Sequence, residues 1–275
     1  MRTYRLKQMT LVVGLLCLIT APAAETQASS VVDLGGAKDF AILGGQTVTN
    51  TGPTTLDGDL GVSPGSAITG FFGTNEDDGP GTFTGSAHQG DAVAGQAQTD
   101  ARAAYTDLAN MGATQDLTGT DLGGLTLTPG VYSFSSSAQL TGDLTLDGNG
   151  PFVFQIGSTL TTAPGSRVMQ MPGDDCFCDV FWQVGSSATL DTTTMFAGTI
   201  LADQSVTFND EATLAGRAVA LEGSITMINN RVNIDTVAMK EEMPSYVVPT
   251  PSAALAGLGL LGMLGLSRQR RRRAA

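Results

Sequence analysis

Histidine occurs once in the 275 residues, at His88, and tryptophan once, at Trp182. One histidine makes His-rich metal sites and Ser-His-Asp catalysis poor prospects. Basic residues are scarce as well: 14 Lys and Arg stand against 26 Asp and Glu, for a net charge of −12. A nucleic-acid binder needs a basic footprint, so that class is set aside. Only 15% of residues are charged, against roughly 25% in an ordinary soluble domain. What is abundant is glycine, at 35 residues, and threonine, also at 35. Small and β-branched residues in that excess favour strands joined by tight turns over packed helices. An all-helical enzyme does not fit.

The ends read as addresses. In residues 1–28, Arg2, Arg5 and Lys7 precede a short apolar core from Leu11 to Ile19, and small residues follow at Ala21, Ala23, Ala24 and Ala28. This is the pattern of a secretory signal peptide; an N-terminal membrane anchor is the other reading. At the far end, Pro249-Thr250-Pro251-Ser252 leads into an apolar run from Ala253 to Leu266, then Arg268 and Arg270 to Arg273. Fourteen helical residues span about 21 Å, short of the ~30 Å hydrocarbon core. The tripartite tail resembles the PEP-CTERM sorting signals processed by exosortases, with Thr250 where that family usually has glutamate. An exosortase-type partner is what the resemblance implies. A plain tail anchor with positive-inside arginines is the alternative. Either reading exports the body and confines membrane contact to the terminal segment. Without its ends the body is more acidic: residues 29–243 hold six basic and 25 acidic residues, or −19.

The body repeats. Ser187-Ala188-Thr189-Leu190 recurs as Ser205-Val206-Thr207-Phe208 and as Ser224-Ile225-Thr226-Met227, at steps of 18 and 19 residues. Phe196-Ala197-Gly198 and Leu214-Ala215-Gly216 repeat at the same step. A period near 18 is too short for a helical hairpin or a propeller blade and fits one turn of a β-solenoid. Alternation points Val206 and Phe208 inward and Ser205 and Thr207 outward. Applied to each coil, it stacks Ser187, Ser205 and Ser224 in one exterior file and Thr189, Thr207 and Thr226 in the next. Thr159 and Thr161 are further exterior candidates in the preceding coil. A second outward row, Thr199 and Arg217 with Ala197 and Ala215, is mixed in character and less suited to a regular surface. Residues 88–111 break the pattern: Val93, Ala97, Ala101, Ala104, Tyr105, Leu108 and Met111 follow helical spacing, with Gly112 as the stop. Such a helix packs most simply along one face of the solenoid, leaving the others free.

Longer stretches carry a resemblance. They are Thr49 to Thr54, Gly58 to Phe71, His88 to Asp91, Leu122 to Asp147, Phe152 to Ser166 and Val180 to Leu190. Together, from about Leu34 to Ile234, they resemble the ice-binding protein family of cold-living bacteria, fungi and algae. The resemblance implies an all-β-dominated fold, a discontinuous right-handed β-solenoid of triangular section with a long helix alongside. The domain would run over residues 29–240, with a linker and sorting segment at 241–275. It also implies adsorption to ice or ordered water through a flat face, without chemistry or a cofactor. The candidate face is Ser187, Thr189, Ser205, Thr207, Ser224 and Thr226, with Thr159 and Thr161 less firmly placed. Exposed solenoid strands also favour Ser and Thr by β-propensity alone. A non-catalytic structural or adhesive envelope protein is therefore the alternative function.

Other chemistry finds little support. Solenoid hydrolases and lyases need clustered carboxylates with Arg or Lys, and Asp191, Asp203 and Asp210 are spread over bends. Asn75-Glu76-Asp77-Asp78-Gly79 lacks the alternating spacing of a calcium loop and reads as a solvated acidic turn. Cys176 and Cys178, one residue apart, suit neither an unstrained disulfide nor a metal site; free thiols or a cross-link between chains remain. Trp182 and Phe181 are expected in the core.

Overall fold

The computed structural model describes residues 31–74, 79–170 and 179–234. The signal-like and tail segments, the acidic residues 75–78 and Cys176 and Cys178 lie outside the described residues.

Almost every element is a short strand paired in parallel with the equivalent strand of another coil. One seven-stranded sheet runs in the order Ala138–Leu140, Leu160–Thr162, Ala188–Leu190, Val206–Phe208, Ile225–Ile228, Thr47–Thr51, Ala67–Thr69. The other strands form a fifteen-stranded sheet that folds into two ladders. Its hinge lies in the eight-residue strands Met195–Ala202 and Thr213–Ala220. Their first halves pair with Arg167–Gln170 and Arg231–Asn233, and their second halves with Val180–Val184 and Phe40–Gly44. Gly198 (φ 105°) and Gly216 (φ 143°) make the bend. A side chain at Gly216 would start 2.1 Å from the Gly198 carbonyl oxygen, so stacked bends at this spacing require glycine.

Strand order in space departs from order in sequence. The N-terminal strand Phe40–Gly44 pairs on one side with Thr213–Ala220 and on the other with Asp59–Val62. The C-terminal strand Arg231–Asn233 bridges Thr213–Ala220 and Thr55–Asp57. The last and first parts of the chain thus complete one level of the stack between them. The chain moves from that level to one end and returns from the other, and the α-helix Ala92–Ala109 connects the two ends. Its 18 residues rise about 27 Å, close to the roughly 29 Å covered by seven strands.

The helix begins later than its spacing predicts. Residues 87–89 form a strand paired with Asp59–Val62, placing His88 in the sheet, and Asp91 caps the helix by accepting from the Ala94 N–H at 2.9 Å. It ends at Ala109, before Met111 and Gly112, where the Gln155 amide donates to the Leu108 and Met111 carbonyls at 2.7 and 2.8 Å. A side chain from the neighbouring sheet thus satisfies the helix end in place of a glycine turn. Ala94, Ala97, Ala101, Ala104 and Leu108 pack on Val153, Phe181, Leu201 and Val219. Val93, expected inward, is 51% exposed. Alanine along the contact lets the helix lie close to the sheet, and Gln98 fixes its height by donating to the Ala220 carbonyl at 3.1 Å.

Inside the coils, Tyr132, Phe154, Trp182 and Phe196 form an aromatic column. Trp182 lies 3.9 Å from Phe154, ring centre to ring centre, and 4.7 Å from Phe196. Its indole N–H reaches the Ala197 carbonyl at 2.9 Å. Phe181 is buried too, but outside the coil, beneath the helix. Ala197 and Ala215 belong to the main core, 0% exposed, and Thr199 is 3% exposed. Ala197 and Ala215 turn inward because strict alternation does not carry through strands that bend at a glycine, whereas Thr199 shares the outer face of Phe181 and Leu201, which the helix covers.

Candidate functional site

Each coil presents three outer ladders, and they differ in kind. The first is covered by the helix. The second carries the sequence Thr82, Thr55, Arg231, Thr213, Met195, Arg167, Asp143 across its paired strands. Arg167 and Asp143 there form a two-point ion pair, both contacts 2.7 Å. The third is the seven-stranded sheet, and its outer side is free of charge.

Pairing in that sheet aligns Gln139, Thr161, Thr189, Thr207, Thr226, Thr49 and Thr69 in one file. Two residues earlier in each strand lies a second file: Ser137, Thr159, Ser187, Ser205, Ser224, Thr47 and Ala67. Residues between the files are buried, with Ala188, Val206, Ile225 and Val48 at 0% exposed. β-branched threonine suits such a surface because its backbone-adjacent branch stiffens χ1. All eight sequence candidates fall in these two files: Ser187, Ser205, Ser224 and Thr159 in one, Thr189, Thr207, Thr226 and Thr161 in the other. Ser137, Gln139, Thr47, Thr49 and Thr69 complete the array. The 18-residue step could not reach the last three, because their coils come first in sequence and stack last in space. A signal existed: Thr47-Val48-Thr49-Asn50 has the same alternation as Ser205-Val206-Thr207-Phe208.

Hydrogen bonds run along the serine-rich file. Thr159 donates to Ser137 at 2.8 Å and Thr47 to Ser224 at 2.9 Å. The Ser187 and Ser205 hydroxyls accept from the N–H groups of Ser205 and Ser224 at 3.3 and 3.2 Å. The bend that ends each of these strands is riveted as well. Asp191 accepts from Asn209 at 2.9 Å and from the Thr192 N–H at 2.8 Å, and Asp210 accepts from Asn229 at 2.6 Å. The Asn209 amide, aided by the Thr192 N–H, holds the Asp191 carboxyl below the usual range. These bonds occupy the carboxylates of the bends. Asp203 likewise accepts from Gln204 at 2.7 Å. Among the described residues no group of three or more His, Cys, Asp and Glu is arranged to hold a metal ion.

An array with repeats of about 4.8 Å across strands and 6.6 Å along them, without charge and without a cavity, suits adsorption to an extended surface better than capture of a small molecule. The Ice-binding-like family matches residues 42–233. The chain belongs to that family. An ice-binding protein of Nostoc sp. (strain HG1) is 49% identical over 256 residues, covering 90% of this chain and 91% of the relative. The crystal structure of an ice-binding protein from an Antarctic biological consortium is 44% identical, with a TM-score of 0.69, over 76% of this chain and 93% of that one. The ice-binding protein of the Antarctic ascomycete Antarctomyces psychrotrophicus is 38% identical, with a TM-score of 0.67, over 74% and 98%.

Proposed function

We propose that the chain is an exported ice-binding protein that adsorbs to ice through the outer side of the seven-stranded Ser/Thr sheet, slowing ice growth or recrystallisation. The domain is read as a right-handed β-solenoid of triangular section; right-handed crossovers dominate among parallel strands. Residues 1–28 serve as its secretory signal and 241–275 as its linker and exosortase-type sorting segment. Ice is the partner, and no cofactor or catalytic group takes part.

The observation that carries this reading is the unbroken threonine file Thr161, Thr189, Thr207, Thr226, Thr49, Thr69. Each threonine offers water a hydroxyl to hydrogen-bond and a methyl to pack against, at intervals set by the strand ladder. The array is held in place before contact, so little conformational freedom is lost on adsorption. Neither other ladder offers this: one is covered and one is charged.

The test is ice recrystallisation inhibition by the purified chain beside Thr207→Tyr. Tyrosine stands proud of the sheet while Val206 and Phe208 keep the core unchanged. Inhibition by the parent, with at least a tenfold loss in a folded variant, is the expected result. No inhibition by a well-folded parent would overturn the ice reading and leave a non-catalytic envelope scaffold.

A further inference from the structure

Away from the Ser/Thr sheet, the second ladder ends in a cleft bordered by the strands Arg231–Asn233, Thr55–Asp57 and Thr82–Phe83. Its volume is about 420 Å³, within the roughly 300–1,000 Å³ of sites that take small molecules. The polar lining comes in two rows set by strand register. Thr82, Thr55 and Arg231 form the first, and Thr84, Asp57 and Asn233 the second. The first row and Thr84 are exposed, Asp57 is half-buried, and Asn233 is 6% exposed.

The walls are fixed before any ligand arrives. Thr84 donates to one Asp57 carboxylate oxygen at 2.7 Å and accepts from the Gly58 N–H at 3.1 Å. The Thr82 and Thr84 N–H groups donate to the Thr54 and Leu56 carbonyls at 2.8 and 3.1 Å. Leu56 and Val232 are buried in the core, and the Phe83 ring meets Phe71 edge-on at 6.3 Å. Little conformational freedom is therefore lost on binding.

The lining mixes every kind of hydrogen-bonding group. Three hydroxyls both donate and accept, the Asn233 amide does each from a different atom, the Arg231 guanidinium only donates and the Asp57 carboxylate only accepts. A saccharide calls for this mixture, because each of its hydroxyls both donates and accepts. Charge selects among saccharides: the lining holds one arginine and one aspartate, and the body around it carries −19, which repels an acidic polymer. Asp57 is the one carboxylate in the lining. Glycoside hydrolysis uses a pair, so the cleft suits recognition without cleavage.

We infer that this cleft binds a neutral saccharide, its hydroxyls held by Asp57, Asn233 and Arg231 and flanked by the threonines. The cleft opens on a different ladder from the Ser/Thr sheet, so a ligand in it leaves that sheet uncovered. Isothermal titration of the purified chain with neutral hexasaccharides of glucose, mannose, galactose and N-acetylglucosamine tests this, with hexagalacturonate as the acidic counterpart. At least one neutral hexasaccharide should bind the parent, and hexagalacturonate should bind at least tenfold more weakly. Thr55→Tyr and Thr82→Tyr, each filling the cleft from an exposed position, should lose at least tenfold in affinity while their urea midpoints match the parent's. Thr207→Tyr should bind as the parent does. Absence of binding by every neutral hexasaccharide would overturn the inference, as would tighter binding of hexagalacturonate, or full affinity in folded Thr55→Tyr and Thr82→Tyr. Binding lost in folded Thr207→Tyr would move the saccharide to the Ser/Thr sheet and overturn the cleft as its site. A parent that binds saccharide yet leaves ice recrystallisation unaffected would overturn the ice reading alone.

Discussion

Thr162 and Thr194 share a buried hydrogen bond, 2.8 Å between hydroxyls, at the bend that follows two of the Ser/Thr strands. They are 1% and 0% exposed. Thr162 also accepts from the Asp191 N–H at 2.8 Å, whereas Thr194 has only a long second contact, 3.4 Å to the Ala163 carbonyl. Thr162→Val keeps the volume and removes the hydroxyl, stranding both the Asp191 N–H and the Thr194 hydroxyl. At about 1–3 kcal/mol for each of the two stranded buried groups, the substitution should cost about 2–6 kcal/mol. Thr194→Val alone removes one bond and leaves Thr162 its contact with Asp191, for about 1–2 kcal/mol. In the double variant only the Asp191 N–H is stranded, so the cost falls about 2–5 kcal/mol short of the sum. Urea unfolding of the four proteins measures this from the shift in midpoint at constant slope. Additive costs, within about 0.5 kcal/mol, would refute a shared buried pair.

Three more outcomes follow from the bends and the buried charge. Thr193 is a β-branched residue at φ 56°, and Thr193→Gly should raise stability by about 0.5–1 kcal/mol in the same urea assay, as strain relief exceeds the entropy cost of glycine. The Ala94 N–H, with His88, holds the Asp91 carboxyl below its usual range, and Asn209 does the same for Asp191. Folded values below the unfolded ~3.9 mean that this stabilisation is complete above about pH 4 and is lost as pH falls through the folded values. Urea midpoints should drop as pH falls below about 4, and Asp191→Asn should flatten that drop. Burial pushes the Arg217 guanidinium down to about 10, against the pull of Asp39, and its Nε has no hydrogen-bond partner. The cost of keeping it charged applies below about pH 10 and fades above it, so Arg217→Met should gain about 1 kcal/mol at pH 7 in thermal unfolding.

The repeat step made much of the site legible. Ser187 to Leu190, Ser205 to Phe208 and Ser224 to Met227 lie in adjacent strands because a fixed period forces equivalent residues into register. The step could not place Thr47, Thr49 and Thr69. Periodicity reports neighbours in sequence, and the early coils stack against the late ones only because the helix carries the chain to the opposite end. Ala197 and Ala215 went astray for a different reason: alternation presumes a straight strand, and Gly198 and Gly216 bend theirs. At the helix start, Asp91 acts as the cap, whereas spacing alone extended the helix back through a strand to His88. Which ladder stands free of charge emerged only when Arg167 met Asp143 across two coils.

The central claim is that coils distant in sequence form one ice-binding surface. Recrystallisation inhibition by Thr49→Tyr, beside a Thr55→Tyr control on the charged ladder, tests it most directly. Thr49 pairs with Thr226 in the threonine file, and Thr55 with Arg231 outside it. The folded Thr49→Tyr protein should lose at least tenfold in activity while Thr55→Tyr matches the parent. A folded Thr49→Tyr with full activity, or a Thr55→Tyr without it, would contradict the placement of the surface on the Ser/Thr sheet.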